Sequence, residues 1–395
     1  MKKVLVYFTN FTSALGGGEY TPLSFIAELQ KRNCEVTLAL NWRSDVPLAA
    51  STLGIDIDFS RLNVVYVKPS WRWRQKFDAF LPVFRTRRLK KLARNADVCI
   101  STANMFDFGK PAHHFIYLLR HFGDNAFNAY LLGEAPPTGA VRKLRTFLVD
   151  RLMRPLLGVP SARQMLADRR QIIYPTSNYV ERVMRDFYGP FTGKVFYPPT
   201  LWEPTAPAEA RNPLKIVVLG QLFPEKKPLN IVSIVRMARG LTGLDLQLAL
   251  AGPLTPSPYL DKLQAAAAAN PWLSLPGPQY GADKEKFLLS GTYAIHAERD
   301  EAFGISVTEY LKAGLIPIVP DDGGAAEVVA EPRLGYRTET AAAKILTRLL
   351  TDAAFRTEMA HRCADRAENF SKAAYLERQK HLLDAILATD GSLDQ

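Results

Sequence analysis

The most constraining feature of this chain is an alternation of short apolar runs and amphipathic stretches that stops once and then starts again. Apolar runs at residues 3–8, 34–40, 62–67, 97–101, 114–119 and 172–176 read as strands, with helices between them at residues 20–32 and 86–94. Strand followed by helix, repeated, predicts a doubly wound α/β fold with a parallel sheet, because parallel neighbours need a crossover that covers the sheet face. Residues 201–213, LWEPTAPAEARNP, break the pattern with prolines and polar groups, as a linker does. The alternation resumes with strands at 214–219, 246–251, 293–297 and 316–319 and helices at 229–239, 259–268, 284–290 and 341–350. Two similar halves predict two domains, residues 1–205 and 206–371, with a cleft between them lined by loops at the carboxyl ends of strands.

Composition excludes several classes. Hydrophobic residues are 47% of the 395, enough for two full cores, and 23% are charged, an ordinary share for a globular protein. Cys34, Cys99 and Cys363 are far apart and form no CxxC pair, so neither a zinc site nor a disulfide framework is expected, and a reducing cytoplasm fits. The start, MKKVLVYF, has the look of a signal peptide. Its apolar run ends at Thr9-Asn10 with no small-residue cleavage site, which favours a first strand. No run of about 18 apolar residues occurs, so no transmembrane helix is expected.

The net charge of +11 is concentrated in the first half, at residues 71–76 (WRWRQK), 85–94 (RTRRLKKLAR) and 141–154 (VRKLRTFLVDRLMR). Basic amphipathic segments with aromatics such as Trp71 and Trp73 can lie on anionic membranes. They can equally be surface helices whose apolar stripe faces the core. Nothing matches a nucleic-acid-binding motif, so no nucleic acid is expected.

The most telling local feature is Glu301-Ala-Phe-Gly-Ile-Ser-Val-Thr-Glu309. It follows an apolar strand and leads into a helix that ends at Gly314, so Glu301 falls in the strand-to-helix loop and Glu309 in the early helix turns. Phe303-Gly304 brings unpaired amides to the helix start, an end that attracts phosphate. Carboxylates accept hydrogen bonds from sugar hydroxyls. One anion site flanked by two such acceptors describes a nucleotide-sugar pocket, against the alternative of a capped helix with two solvated glutamates. Upstream, residues 218–228 (VLGQLFPEKKP) put Gly220, Gln221 and Lys226 after a strand, and Gly16-Gly17-Gly18-Glu19 follows the first strand of the chain. The glycines allow close backbone approach to a ligand. They also suit a plain flexible turn, as Lys226-Lys227 suits a surface turn.

These three motifs together resemble the retaining glycosyltransferases of family 4, whose GT-B fold has two Rossmann-like domains facing across a cleft. The resemblance runs from the first strand to Phe370-Ser371, with Gln221 standing where the family usually has arginine. Within the family, the motifs Gln221 to Lys226 (QLFPEK), Tyr197-Pro-Pro199 and Ile295 to Ile305 (IHAERDEAFGI) are most similar to mannosyltransferases that extend lipid-linked oligosaccharides from GDP-mannose.

The resemblance implies a retaining, metal-independent hexosyltransferase without a cofactor beyond its donor. Its partners would be a nucleotide sugar and a glycan or lipid-linked acceptor. It implies that Glu301 holds donor-sugar hydroxyls and steadies an oxocarbenium-like state, Glu309 binds the ribose, and Lys226 neutralises the leaving β-phosphate. Gly17, Gly18, Glu19, Gly220, Gln221, Phe303 and Gly304 would line the donor, although Phe303 also suits the core. A first-domain histidine would touch the sugar, with His121 better placed than His113 or His114. His296, inside an apolar run, reads more as core. Residues 134–137 (EAPP) suit an acceptor loop or a turn, and residues 321–324 (DDGG) would lie near the donor. Residues 372–395 would pack back on the first domain. The expected location is cytoplasmic, peripheral at the inner face of the cell membrane. Two other readings stay open: a nucleotide-sugar 2-epimerase of the same fold, and a non-catalytic membrane- or nucleic-acid-binding protein.

Overall fold

The computed structural model describes residues 1–11, 17–67, 81–117, 127, 156, 158–205 and 211–388. The chain divides into two compact units: Met1–Pro199 with Tyr375–Gln395, and Thr200–Ala374.

The first unit runs β1 (Lys3–Tyr7), α1 (Gly17–Lys31), β2 (Glu35–Leu40), α2 (Val46–Thr52), β3 (Leu62–Tyr66), α3 (Leu81–Ala93), β4 (Val98–Ser101), β5 (His113–Ile116), α4 (Ala162–Ala167), β6 (Ile172–Pro175) and α5 (Asn178–Tyr188). Its strands are all parallel, in the order β3-β2-β1-β4-β5-β6. Val4, Leu5, Val6, Cys99 and Ile100 are buried, as strands covered on both faces require. Side-chain caps start the later helices. The Ser161 and Gln164 side chains form a capping box, and Ser177 Oγ accepts from the Val180 N–H at 3.0 Å.

The second unit runs β7 (Lys215–Leu219), α6 (Pro228–Thr242), β8 (Gln247–Ala251), α7 (Pro258–Ala268), β9 (Leu273–Ser274), α8 (Gly281–Leu289), β10 (Tyr293–Ile295), α9 (Ile305–Lys312), β11 (Ile316–Pro320), α10 (Gly324–Val329), β12 (Gly335–Tyr336), α11 (Glu339–Thr351) and α12 (Ala353–Ala367). Its parallel sheet has the order β12-β11-β10-β7-β8-β9. In each sheet the chain builds outward from its first strand, then returns and builds the other way. The reversal falls between β1 and β4 in one and between β7 and β10 in the other, the point where such sheets leave a ligand crevice.

The last helix, α13 (Lys372–Ala388), carries its buried residues into the first unit. Tyr375 lies 6.0 Å from the Tyr20 ring and 5.6 Å from the Phe196 ring. Gln379 Nε2 donates to Ser24 Oγ at 3.1 Å, and Arg32 meets Asp384 at 2.7 Å. No helix among the described residues is long and apolar enough to cross a membrane.

Several expectations need correction. Helix α1 begins at Gly17, so Glu19 sits in a first helical turn rather than a loop. Strand β5 begins at His113, not His114, so both histidines stand at the amino end of the strand, away from its carboxyl end. Strand β10 stops at Ile295, leaving His296 just beyond it. The two-residue strands β9 and β12 are too short to show a period. Helices α2, α4, α5, α10 and α12 were not expected. Helix α12 buries only Phe355, Met359 and Cys363, one residue per turn amid charged neighbours, a faint apolar signal. Gly16, Trp71, Trp73, His121, and residues 134–137 and 141–154 lie outside the described residues.

Candidate functional site

Two loops of the second unit meet at its sheet reversal. The first leaves β7 at Gly220 and passes through a 3₁₀ turn at Pro224–Lys226 before α6 starts. The second leaves β10 and runs from His296 through Glu301 to Gly304, the N-cap of α9. Strands β7 and β10 are paired neighbours, so the loops following them emerge side by side.

One tyrosine fixes their register. Tyr310, on α9, is buried, and its hydroxyl accepts from the Leu219 N–H at 2.8 Å and donates to the Leu219 carbonyl at 3.0 Å. Leu219 immediately precedes Gly220, so the helix bearing Glu309 is bolted to the end of β7. Burial pushes the Tyr310 pKa up, which keeps the hydroxyl protonated for both bonds.

Two glycines fix the second loop. Gly323 has a φ of +100°, and a Cβ there would stand 2.2 Å from the Arg299 carbonyl oxygen. At Gly324 it would stand 2.4 Å from the Ala302 carbonyl oxygen. The Gly324 N–H donates to the Glu301 carbonyl at 2.8 Å. The Gly-Gly pair therefore supports the glutamate loop through backbone contact. Asp321 is engaged by Arg299 at 3.2 Å and Arg337 at 2.6 Å.

The charged groups converge on Lys226. Its Nζ lies 2.5 Å from Glu301 Oε2 and 2.5 Å from Glu298 Oε2. The Glu298 side chain is 6% exposed, Glu301 18% and Lys226 36%. Burial favours the neutral form of each group. For Lys226 the two carboxylates outweigh burial and hold its pKa above the usual lysine value. For Glu301, Lys226 foremost outweighs burial and holds the carboxyl below its usual range. His296 Nε2 is 3.7 Å from Glu301 Oε2. Burial pushes the His296 pKa down to about 4, so the imidazole is neutral at pH 7. One polar atom each of His296, Glu298 and Glu301 falls within 4.8 Å of the others, and the Lys226 ammonium contacts the two carboxylates of this group.

Glu309 is buried and accepts from Lys284 Nζ at 2.6 Å. Lys284 in turn lies 5.8 Å from the centre of the Trp202 ring. Gly304, with a φ of +95°, caps α9 without any side-chain hydrogen bond, which leaves the helix start to backbone chemistry. The Phe303 side chain is buried with its ring 5.8 Å from that of Phe370, so only its backbone is available to a ligand. Gln221 and Gly220 are exposed, and a Cβ at Gly220 would meet nothing within 4 Å. Lys226, Glu301, Gly304, Gly220 and Gln221 thus share one end of one sheet.

The first-unit candidates stand apart from this cluster in kind. Gly17, Gly18 and Glu19 open α1 after β1, and a Cβ at Gly18 would meet nothing within 4 Å. His113 Nδ1 bonds the Tyr174 hydroxyl at 3.0 Å and His114 Nε2 bonds Gln171 at 2.9 Å. Burial drives both pKa values down to about 4; His114 is fully buried and His113 half-buried, each tied to a neighbour on β6 or just before it. Sequence reasoning missed Glu298 and Lys284. The run His296-x-Glu298-x-x-Glu301 directly after a buried strand is a signal that could have found Glu298. Lys284 carries no comparable signal.

Residues 203–370 match the family model described as glycosyl transferases group 1, which spans nearly all of the second unit. No curated protein matches the chain in sequence. Solved structures share its fold at low identity. Anabaena HepE, solved with UDP and glucose, matches at 14% identity and a TM-score of 0.64, over 98% of this chain and 100% of that one. A sucrose-phosphate synthase from Thermosynechococcus elongatus matches at 13% and 0.65, over 98% and 100%. WaaG, a glycosyltransferase of lipopolysaccharide biosynthesis, matches at 15% and 0.62, over 96% and 99%. The fold is GT-B.

Proposed function

We propose, from the premise that the second unit is a glycosyl transferases group 1 domain in a chain of GT-B fold, that this protein transfers a sugar from a nucleoside diphosphate sugar to an acceptor hydroxyl. The observation that carries the reading is the Lys226–Glu301 pair at the β7–β10 reversal, 2.5 Å apart, beside the uncapped start of α9. Lys226 and the helix-start amides face the diphosphate. Glu301 accepts from hydroxyls of the donor sugar, and Glu309, fixed by Lys284, accepts from the ribose.

In the retaining mechanism the acceptor oxygen approaches the anomeric carbon on the face from which the nucleoside diphosphate departs. The bond from that carbon to the phosphate oxygen breaks, the new C–O bond forms, and the leaving phosphate takes the acceptor proton. Lys226 stabilises the charge growing on that phosphate, as an oxyanion-stabilising cation does. The same role leaves the reaction without need of a metal. The motifs at residues 221–226 and 295–305 favour GDP-mannose, while the HepE complex with UDP and glucose favours a uridine donor. A thermal-shift panel of nucleotide sugars separates them, since a ligand that binds only the folded state raises the melting point. The absence of any stabilising nucleotide sugar would count against the proposal.

The acceptor is a glycan or lipid-linked glycan, met at an anionic membrane surface. Arg87, Arg88, Lys91 and Arg94 on and just after α3 are exposed, and no ion pair holds them among the described residues. Lys90 differs: it meets Asp107 at 2.7 Å and donates to the Gly158 carbonyl at 2.8 Å, so it belongs to the fold. Replacing Arg87, Arg88, Lys91 and Arg94 by glutamine should weaken sedimentation with anionic liposomes, each charge near the surface contributing ~1 kcal/mol. Equal sedimentation of both proteins would remove the membrane role and leave the transferase reading intact.

A further inference from the structure

We infer that Glu298 is a positioning residue for this reaction: it anchors the Lys226 ammonium so that Glu301 is released to the donor sugar. The inference rests on the transferase reading. Two carboxylates hold one ammonium at equal distance, 2.5 Å each, yet they differ in access. Glu298 is 6% exposed and turned into the protein, whereas Glu301 is 18% exposed at the rim. A donor can therefore reach Glu301 but not Glu298.

If Glu301 were the sole partner of Lys226, its turn toward sugar hydroxyls would loosen the cation that must meet the phosphate. A second, buried carboxylate removes that conflict. Lys226 keeps one fixed partner throughout, and an ammonium has three N–H donors, so others are left for the phosphate. Glu298 also supplies negative charge that keeps the half-buried amine protonated when Glu301 is engaged elsewhere. The groups facing Lys226 are Glu298, Glu301 and, across Glu301, His296. Glu225 and Lys227 flank it on its own turn.

The test measures kcat/KM for the donor against pH in the wild type, Glu298→Gln and Glu298→Asp. In parallel, competitive acetylation of Lys226, read by mass spectrometry, follows its protonation without reference to turnover. Lys226 works as the ammonium, so its loss forms an alkaline limb. Removing a neighbouring carboxylate lowers the lysine pKa, so in Glu298→Gln both the limb and the labelling curve should move to lower pH by about one unit or more. The fall in kcat should be at least tenfold with a smaller change in donor KM, because the phosphate charge grows only in the transition state. Glu298→Asp keeps the charge and should restore the limb while kcat stays reduced.

A limb and labelling curve unmoved in Glu298→Gln, with normal wild-type turnover, overturn the inference alone. Should Glu298→Gln fail to fold, Glu298→Asp decides: a limb at the wild-type position supports the anchor and a displaced limb refutes it. A wild type that transfers sugar from no donor removes the transferase reading, and the role of Glu298 with it.

Discussion

Replacing Lys226 with methionine keeps the aliphatic stem and deletes the charge between Glu298 and Glu301. Two carboxylates are then left with polar atoms no more than 4.8 Å apart and no cation. At an effective dielectric of about 20, their repulsion at that separation is about 3 kcal/mol. Lys226 is about a third exposed, so water screens part of the loss, and the expected destabilisation at pH 8 is about 2–3 kcal/mol, below that of a fully buried broken pair.

The effect should depend on pH with a definite sign. In the wild type the Glu301 pKa is held below its ordinary value, so it contributes stability above that value and loses it as pH falls. In the variant nothing from Lys226 offsets burial, so the Glu301 pKa rises and ionisation becomes a cost as pH climbs from the ordinary value toward the new one. The variant's cost accrues upward from about pH 4.5, the ordinary range of the group, whereas the wild type keeps most of its gain down to that pH and loses it only below, as pH falls through the depressed value. Melting of wild type and variant, followed by circular dichroism at pH 8 and pH 3, should show a gap of about 6 °C at the higher pH that narrows markedly at the lower. An equal gap at both values would mean that the carboxylates are not electrostatically dependent on Lys226, and the cage argument would fall.

Gly324→Ala should destabilise the second unit strongly, because its Cβ would sit 2.4 Å from the Ala302 carbonyl oxygen, whereas Gly220→Ala, with nothing within 4 Å, should melt like the wild type yet bind donor more weakly. Melting curves and donor titrations of the two variants check this contrast. Glu309→Gln should mainly raise the donor KM, since ribose contacts exist before and during reaction, while Glu301→Gln should mainly lower kcat, both read from steady-state kinetics.

The sheet cores were legible in the sequence because strands covered on both faces are written as unbroken apolar runs, as at Val4 to Val6 and Val217 to Val218. Strand ends were less legible. His296 follows Tyr293-Ala-Ile295 in sequence as though still within the strand, and only the pairing pattern shows that β10 has stopped. That one-residue difference carries His296 from the sheet into the site. The Glu301 loop and the Glu309 helix followed from local chemistry: a glycine before the helix, unpaired amides at its start, and an acidic residue on each side. Glu298 was overlooked because a carboxylate in a polar run looks solvated; the spacing His296-x-Glu298-x-x-Glu301 hints at it, but only the folded chain brings Lys226, from a distant segment, against it. The Gly323-Gly324 pair was placed near the donor by the resemblance alone; its partner, the backbone of residues 299–303, is a tertiary fact.

The most direct test of the central claim is a calorimetric titration of nucleoside diphosphate sugars, UDP-glucose and GDP-mannose first, into the wild type and Lys226→Met with EDTA present. The account predicts saturable binding of at least one donor to the wild type without added metal, and weaker binding to the variant at a pH where both are folded. Binding of no nucleoside diphosphate sugar to the folded wild type, or equal affinity in the variant, would contradict it.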